Sequence, residues 1–199
     1  MRALARLLDT RTLDQISVAE LASAAKCSMS SFYARFPTKA SLLNAFFDRF
    51  FEYSAADVGA TFTAIASATT TEQRARGLIE FLLRSYRGHR GLLRSLILHD
   101  RTHPDSGFAA RTRAYKQQVG GAVVALMLGE NLRAADERTA LSMRFRLWLV
   151  VQAIEQIVLF EDPMIGRGQI PESQLVEELT SVLLSGHSLN QAAKDACPR

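Results

Sequence analysis

Residues 17–50 read SVAELASAAKCSMSSFYARFPTKASLLNAFFDRF, and they hold two short helical patterns joined by a tight turn, then the start of a third. Ser17 and Glu20 form an S-x-x-E capping box, in which the serine oxygen takes an unpaired amide and the glutamate reaches back to the cap residue's own amide. Val18, Leu21, Ala22 and Ala25 recur at i, i+3, i+4 and i+7, the apolar stripe of an amphipathic helix. Lys26-Cys27-Ser28-Met29 carries the turn, with Ser28 placed to cap a second helix from Met29 to about Arg35. Phe32 and Phe36 point from that helix to a core, Pro37 ends it, and Thr38 is positioned to cap a third helix from Lys39. This is the pattern of a helix-turn-helix, whose second helix enters the major groove of DNA.

Ser28-Met29-Ser30-Ser31-Phe32-Tyr33-Ala34-Arg35-Phe36-Pro37-Thr38-Lys39-Ala40-Ser41-Leu42-Leu43 resembles the DNA-binding signature of the TetR family of bacterial transcriptional regulators. That signature runs small residue, aromatic or Leu, Tyr, two variable positions, Phe, a short cap, Lys and a Leu pair. Tyr33, Phe36, Lys39, Leu42 and Leu43 match it in order and spacing. Two positions depart from the family pattern. Lys26 stands where the family usually has Gly, so either Lys26 adopts a left-handed backbone or the turn is altered. The first helix is short, expected over Arg2 to Thr12. The resemblance implies an all-α protein with an N-terminal three-helix DNA-binding domain, residues 1–50. A C-terminal helical ligand-binding and dimerisation domain, residues 51–199, would follow.

Composition agrees with a soluble globular chain of 199 residues with 48% hydrophobic and 22% charged side chains, enough for a substantial core. Cys27 and Cys197 give no disulfide framework and lack the neighbours of a zinc site, which fits a reducing cytoplasm. Arg2, Arg6, Asp9 and Arg11 interrupt the one stretch resembling a signal peptide. Leu147 to Phe160 is the longest apolar region, and Gln152, Glu155 and Gln156 make it too polar to span a bilayer. The expected location is cytoplasmic, with no membrane partner. The formal net charge is +4, and residues 1–50 hold seven basic against four acidic side chains, so most of the excess lies beside the helix-turn-helix. A local positive field of this kind suits phosphate binding.

Six helical stretches are expected beyond the DNA-binding unit. The helix from Lys39 should run to about Ala66. Others cover Glu72 to Arg87 with Thr71 as cap, Leu92 to Arg101, and Asp105 or Ser106 to Leu128. The last two cover Asp136 to Phe160 and Glu172 to Ser185. Gly88 and Gly91 mark a turn, Gly129, Asp162-Pro163, Gly166, Gly168 and Gly186 supply the further breaks, and no alternating strand pattern persists. Leu141, Phe145, Trp148, Leu149, Gln152, Glu155, Gln156 and Leu159 lie on adjoining turns of one helix. Leu175, Leu179, Val182 and Leu183 form a stripe on the last. Part of this surface is intramolecular core. The remainder is expected to pair these two helices with their mates in a homodimer, as the family resemblance also implies.

The DNA-contacting residues expected are Ser17, Ser28, Met29, Ser30, Ser31, Tyr33 and Lys39. Ser30 and Ser31 are small and polar at the start of the recognition helix, which lets it approach base edges, and Met29 can touch a thymine methyl. The family resemblance assigns Tyr33 a phosphate contact. Lys39 adds charge to a helix N-terminus, and the caps Ser17 and Ser28 offer hydroxyls to phosphates. Arg35 is divided between the DNA backbone and an intramolecular ion pair, while Phe32 and Phe36 belong to the core.

Residues beyond about 60 carry no nucleophile motif, phosphate-binding glycine loop or telling carboxylate pair, so neither catalysis nor a cofactor is expected. His99 and His103 have the i, i+4 spacing of metal ligands, but Pro104 places His103 at a helix end and no metal is expected. A small-molecule effector cavity is expected among the helices, with Phe81, Tyr86, Leu96, His99, Tyr115, Gln118, Met127, Trp148 and Gln152 as its candidate lining. Glu155 and Arg144 would be costly if buried alone and gain interest only if shielded from water. The expected function is a ligand-responsive repressor binding a palindromic double-stranded operator as a homodimer. The alternative is a helical ligand-binding or protein-interaction module with weakened DNA binding, for which the short first helix and Lys26 speak.

Overall fold

The computed structural model describes residues 2–12, 15–104, 106–129, 137–162, 165 and 170–185. The expected breaks at Pro163, Gly166, Gly168 and Gly186, the candidate cap Asp105, the expected helix start Asp136, and Cys197 lie outside them. All regular structure among the described residues is helical: α1 Arg2–Leu8, α2 Val18–Ala24, α3 Met29–Arg35, α4 Lys39–Ala66, α5 Thr71–Gly88, α6 Arg90–Thr102, α7 Gly107–Leu128, α8 Glu137–Ile154, a π turn Glu155–Leu159, and α9 Glu172–Leu184. Among the described residues no helix is long and apolar enough to cross a membrane. The chain divides into two compact units, residues 1–60 with 89–112 and residues 61–88 with 113–199.

The first unit is wider than the segment 1–50 expected from the motif, because α1 packs against α6 as well as α2. Leu4, Leu8, Ile16, Leu21, Phe32, Leu42, Phe46 and Phe47 share one core with Leu92 and Leu96 of α6 and Phe108 of α7. The Phe47 and Phe108 rings lie 4.4 Å apart. Burial of each such side chain stabilises by about 1.5–3 kcal/mol. Gly91 is what allows α6 this close: a Cβ there would sit 2.2 Å from the carbonyl oxygen of Leu8. The first helix ends at Leu8 and not at Thr12, since the amides of Thr10 and Arg11 both turn back to the Leu7 carbonyl.

In the second unit α5 packs against α9 and the π turn, and α8 packs against α9. Leu78, Ile79, Leu83, Met143, Val150, Ile154, Leu159, Leu175, Leu179 and Leu183 are buried there. The stripe on α9 is therefore mostly core, and only Val182 of its four residues remains exposed. Arg87 pairs with Glu172 and Arg76 with Glu177, tying α5 to α9 at the surface. The cap of α5 is Thr70 and not Thr71. Its oxygen accepts from the Gln73 amide at 3.1 Å while Gln73 accepts from the Thr70 amide at 3.3 Å, a capping box one residue earlier than expected. Ser106 caps α7, accepting from the Ala109 amide at 3.1 Å. The helix expected to run unbroken to Phe160 widens into the π turn at Glu155 and closes at Glu161, whose φ of 53° is left-handed.

Candidate nucleic-acid interface

The interface is assembled from three successive helix starts. At Ser17 the full capping box is present: the Glu20 amide donates to Oγ at 3.2 Å, and the Ser17 amide donates to the Glu20 carboxylate at 2.8 Å. Arg11 also reaches Glu20, at 2.6 Å, fastening the segment after α1 to the start of α2. Hydrogen bonds from Arg11 first, then from the Ser17 amide and hydroxyl, hold the Glu20 carboxyl down at about 2. At Ser28 the Ser31 amide donates to Oγ at 3.1 Å. At Thr38 the pair is reciprocal, with Ser41 donating to Thr38 Oγ1 at 3.0 Å and accepting from the Thr38 amide at 3.1 Å.

The turn between α2 and α3 resolves the question posed by Lys26. Its φ is 55°, so a lysine occupies the left-handed position. The Cys27 amide donates to the Ala22 carbonyl and the Lys26 amide to the Ser23 carbonyl, both at 3.0 Å, the two bonds of a Schellman motif. The turn geometry is thus retained with a residue that is strained in it. Cys27 is exposed and forms no disulfide.

From this frame α3 turns Phe32 into the core at 5% exposure and leaves Met29, Ser30, Ser31, Tyr33, Ala34 and Arg35 outside. Tyr33 stands edge-on to Phe32 with ring centroids 5.7 Å apart, which fixes its ring while 47% of the residue stays exposed. Arg35 lies over the Phe36 ring at 5.7 Å, so its partner is aromatic and not acidic. Lys39, half-buried, opens α4. The two cap serines are less available than their chemistry suggests. The Ser17 hydroxyl donates to Glu20 and the Ser28 hydroxyl to Ser31, so the hydrogen each would give a phosphate is already used.

The large apolar side chains that remain exposed among the described residues fall in two places. Met29 and Tyr33 are on α3; Leu141, Phe145, Trp148 and Leu149 are on α8, with Val182 on α9. Residues 1–46, covering α1 to α3 and the start of α4, match the family model of bacterial regulatory proteins, tetR family. The chain carries a TetR-family DNA-binding domain. That match supports a DNA-binding transcriptional regulator of the same family. No curated protein matches the chain.

The effector candidates are divided between the units. Leu96 and His99 belong to the first, where Leu96 is core. His99 there lines an open pocket of about 540 Å³ with His103, Arg111, Asn44 and Phe108. His99 and His103 stack at 4.4 Å, and among the described residues no three metal-ligating side chains come together. Phe81, Tyr86, Tyr115, Gln118, Met127, Trp148 and Gln152 belong to the second unit. Trp148 does not line an interior: it is 55% exposed and stacks on Phe145 in the outward stripe of α8. Gln118 is exposed, and Phe81 and Met127 are packed core.

Tyr86 and Gln152 do meet, through Glu155. The Tyr86 hydroxyl lies 3.4 Å from one carboxylate oxygen and the Gln152 amide donates to the other at 3.0 Å. Burial, then the Glu155 charge, push the Tyr86 phenol well above its ordinary value, and burial raises Tyr115 as well. Of the two charges singled out from the sequence, Glu155 is shielded and Arg144 is exposed. Arg146 was not singled out and is buried, with its Nε donating to the Ser142 carbonyl at 3.2 Å and its pKa lowered by desolvation.

Proposed function

We propose that this regulator is a cytoplasmic, homodimeric repressor that binds a palindromic operator and is released by a small-molecule effector. The observation that carries the DNA half of this reading is the outer face of α3, where a capped, core-anchored helix leaves Met29, Ser30, Ser31 and Tyr33 exposed. In this reading Ser30, Ser31 and Met29 meet base edges, while Tyr33 and Lys39 meet phosphates. Ser17 and Ser28 act one step back, by fixing the helices that present those groups.

The outward stripe of α8 with Val182 supports the dimer. Leu141, at 63% exposure, Phe145, Trp148 and Leu149 form a contiguous apolar face of the kind that monomers rarely leave in water. Two recognition helices fixed at one spacing read two half-sites and convert weak single contacts into specific binding. Release then follows from an effector that favours a state with the wrong spacing. A near-complete switch requires a differential affinity of about 5.5 kcal/mol between the two states.

Selection of bound sequences from random duplex DNA at near-physiological salt tests this directly. A palindrome with half-sites one helical turn or more apart is the expected outcome. A folded protein that enriches no sequence would favour the helical interaction module, for which the short α1 and the strained Lys26 speak.

A further inference from the structure

Glu155 is buried to 4% exposure at the first position of the π turn, within the unit of residues 61–88 and 113–199. Among the described residues its two oxygens meet only neutral donors, the Tyr86 hydroxyl at 3.4 Å and the Gln152 amide at 3.0 Å. The first of these is long, since a good hydroxyl bond spans about 2.7–2.8 Å. Among the described residues no Lys or Arg forms an ion pair with it. An ionised carboxylate offers about four acceptor positions, so roughly half of its capacity is unmet. A buried charge persists only when it is paired or neutralised.

The surroundings specify what would pair with it. The Tyr86 phenol borders the carboxylate directly, and Tyr115 lies close enough to Tyr86 to act on it. A phenol ring beside an acceptor-only charge suits a cation with an apolar body and disfavours an anion. The carboxylate also stands at a π turn, a local widening found most often at functional positions.

We propose that the effector is an organic cation, a protonated amine or quaternary ammonium, and that Glu155 is its counter-ion, with the rings of Tyr86 and Tyr115 and the Gln152 amide shaping the headgroup site. This rests on the reading of the second unit as effector-responsive. Tyr86 is on α5, which packs against the π turn, so a cation that takes the carboxylate changes how α5 is held.

The test uses the full chain. Tetraphenylphosphonium and phenethylamine serve as cationic probes, with tetraphenylborate and 2-phenylethanol as counterparts of matching shape, and binding is followed by calorimetry. At least one cation should bind at least about tenfold more tightly than its counterpart. Glu155→Gln should weaken that cation by at least about tenfold and leave the counterpart unchanged, while the unliganded variant melts no lower than the parent. Should Glu155→Gln fail to fold, Tyr115→Leu, which removes one ring, should weaken the cation severalfold. Absence of cation binding at millimolar concentration, equal binding of the counterparts, or full affinity in Glu155→Gln would each overturn the assignment. Operator release separates the two readings. A neutral or anionic probe that binds and releases DNA would keep the effector reading and sink the cation; Glu155-dependent cation binding without any change in DNA binding would do the reverse.

Discussion

Replacing Lys26 with Gly should stabilise the DNA-binding unit. Lys26 holds a φ of 55°, and an L-residue in that region costs roughly 1–2 kcal/mol through the clash of Cβ with the following carbonyl. Glycine removes that clash and leaves both Schellman bonds, from Cys27 to Ala22 and from Lys26 to Ser23, in place because they are made by the backbone. Against this stands the larger entropy glycine loses on folding, about 0.5–1 kcal/mol. The net expectation is a gain of about 0.5–1 kcal/mol, or roughly 2–8 °C for a unit of this size. Urea denaturation combined with amide exchange in α2 and α3 reports on this unit separately from the rest of the chain. Lys26→Ala is the control: it removes the same charge but keeps the Cβ, and should leave stability within about 0.5 kcal/mol. A glycine variant less stable than the parent, or an alanine variant stabilised equally, would refute the backbone reasoning and assign the effect to charge.

Gly91→Ala should destabilise the same unit by about 2 kcal/mol, because its Cβ would meet the Leu8 carbonyl at 2.2 Å and force α1 off α6; an unchanged urea midpoint would show that α1 slides without cost. Arg11→Ala should raise the Glu20 pKa from about 2 toward the ordinary carboxylate value, as read by carboxyl NMR titration. In the parent the depressed pKa contributes stability that is full above about pH 4.3 and fades as pH falls toward 2, so the variant, which keeps the Ser17 bonds, should lose part of that slope and a parallel pH profile would remove Arg11 as its main cause. Lys39→Ala should weaken operator binding on every sequence and reduce the salt slope by about one unit, and equal slopes would take Lys39 off the phosphate. Trp148→Asp should convert the proposed dimer to monomer in sedimentation at micromolar concentration, whereas an intact dimer would move the interface off the α8 stripe.

Much of the DNA-binding unit was legible because its signals are local. Ser17 with Glu20, Ser28 with its own helix, and Thr38 before Lys39 each cap within three residues, and α4 ends at Ala66 as its pattern predicts. The sequence points to Thr71 as the cap where Thr70 serves, because three threonines in a row can all cap and only the partner, Gln73, selects between them. Gly91, which the sequence marks as a turn residue, lies inside α6 instead, because its role depends on Leu8, eighty-odd residues away in sequence and in contact only after folding. The stripe on α9 looked like an interface because periodicity marks a face as apolar without saying what covers it; α5 and α8 do. Burial of Arg146 in place of Arg144 is the same ambiguity at higher resolution, a difference of two residues that turns a helix position through about 200°.

The π turn at Glu155–Leu159 also bears on how this chain is lined up with its relatives. An α-helical turn advances each side chain by about 100°, whereas a π turn closes its bond one residue later. Val158 and Leu159 reach the core across that extra residue. A homologue whose helix runs straight would carry one residue fewer here, and an ungapped alignment would set its side chains a third of a turn out of phase beyond this point. Ligand-contact positions transferred across such an alignment would be wrong on one side of Glu155 and right on the other.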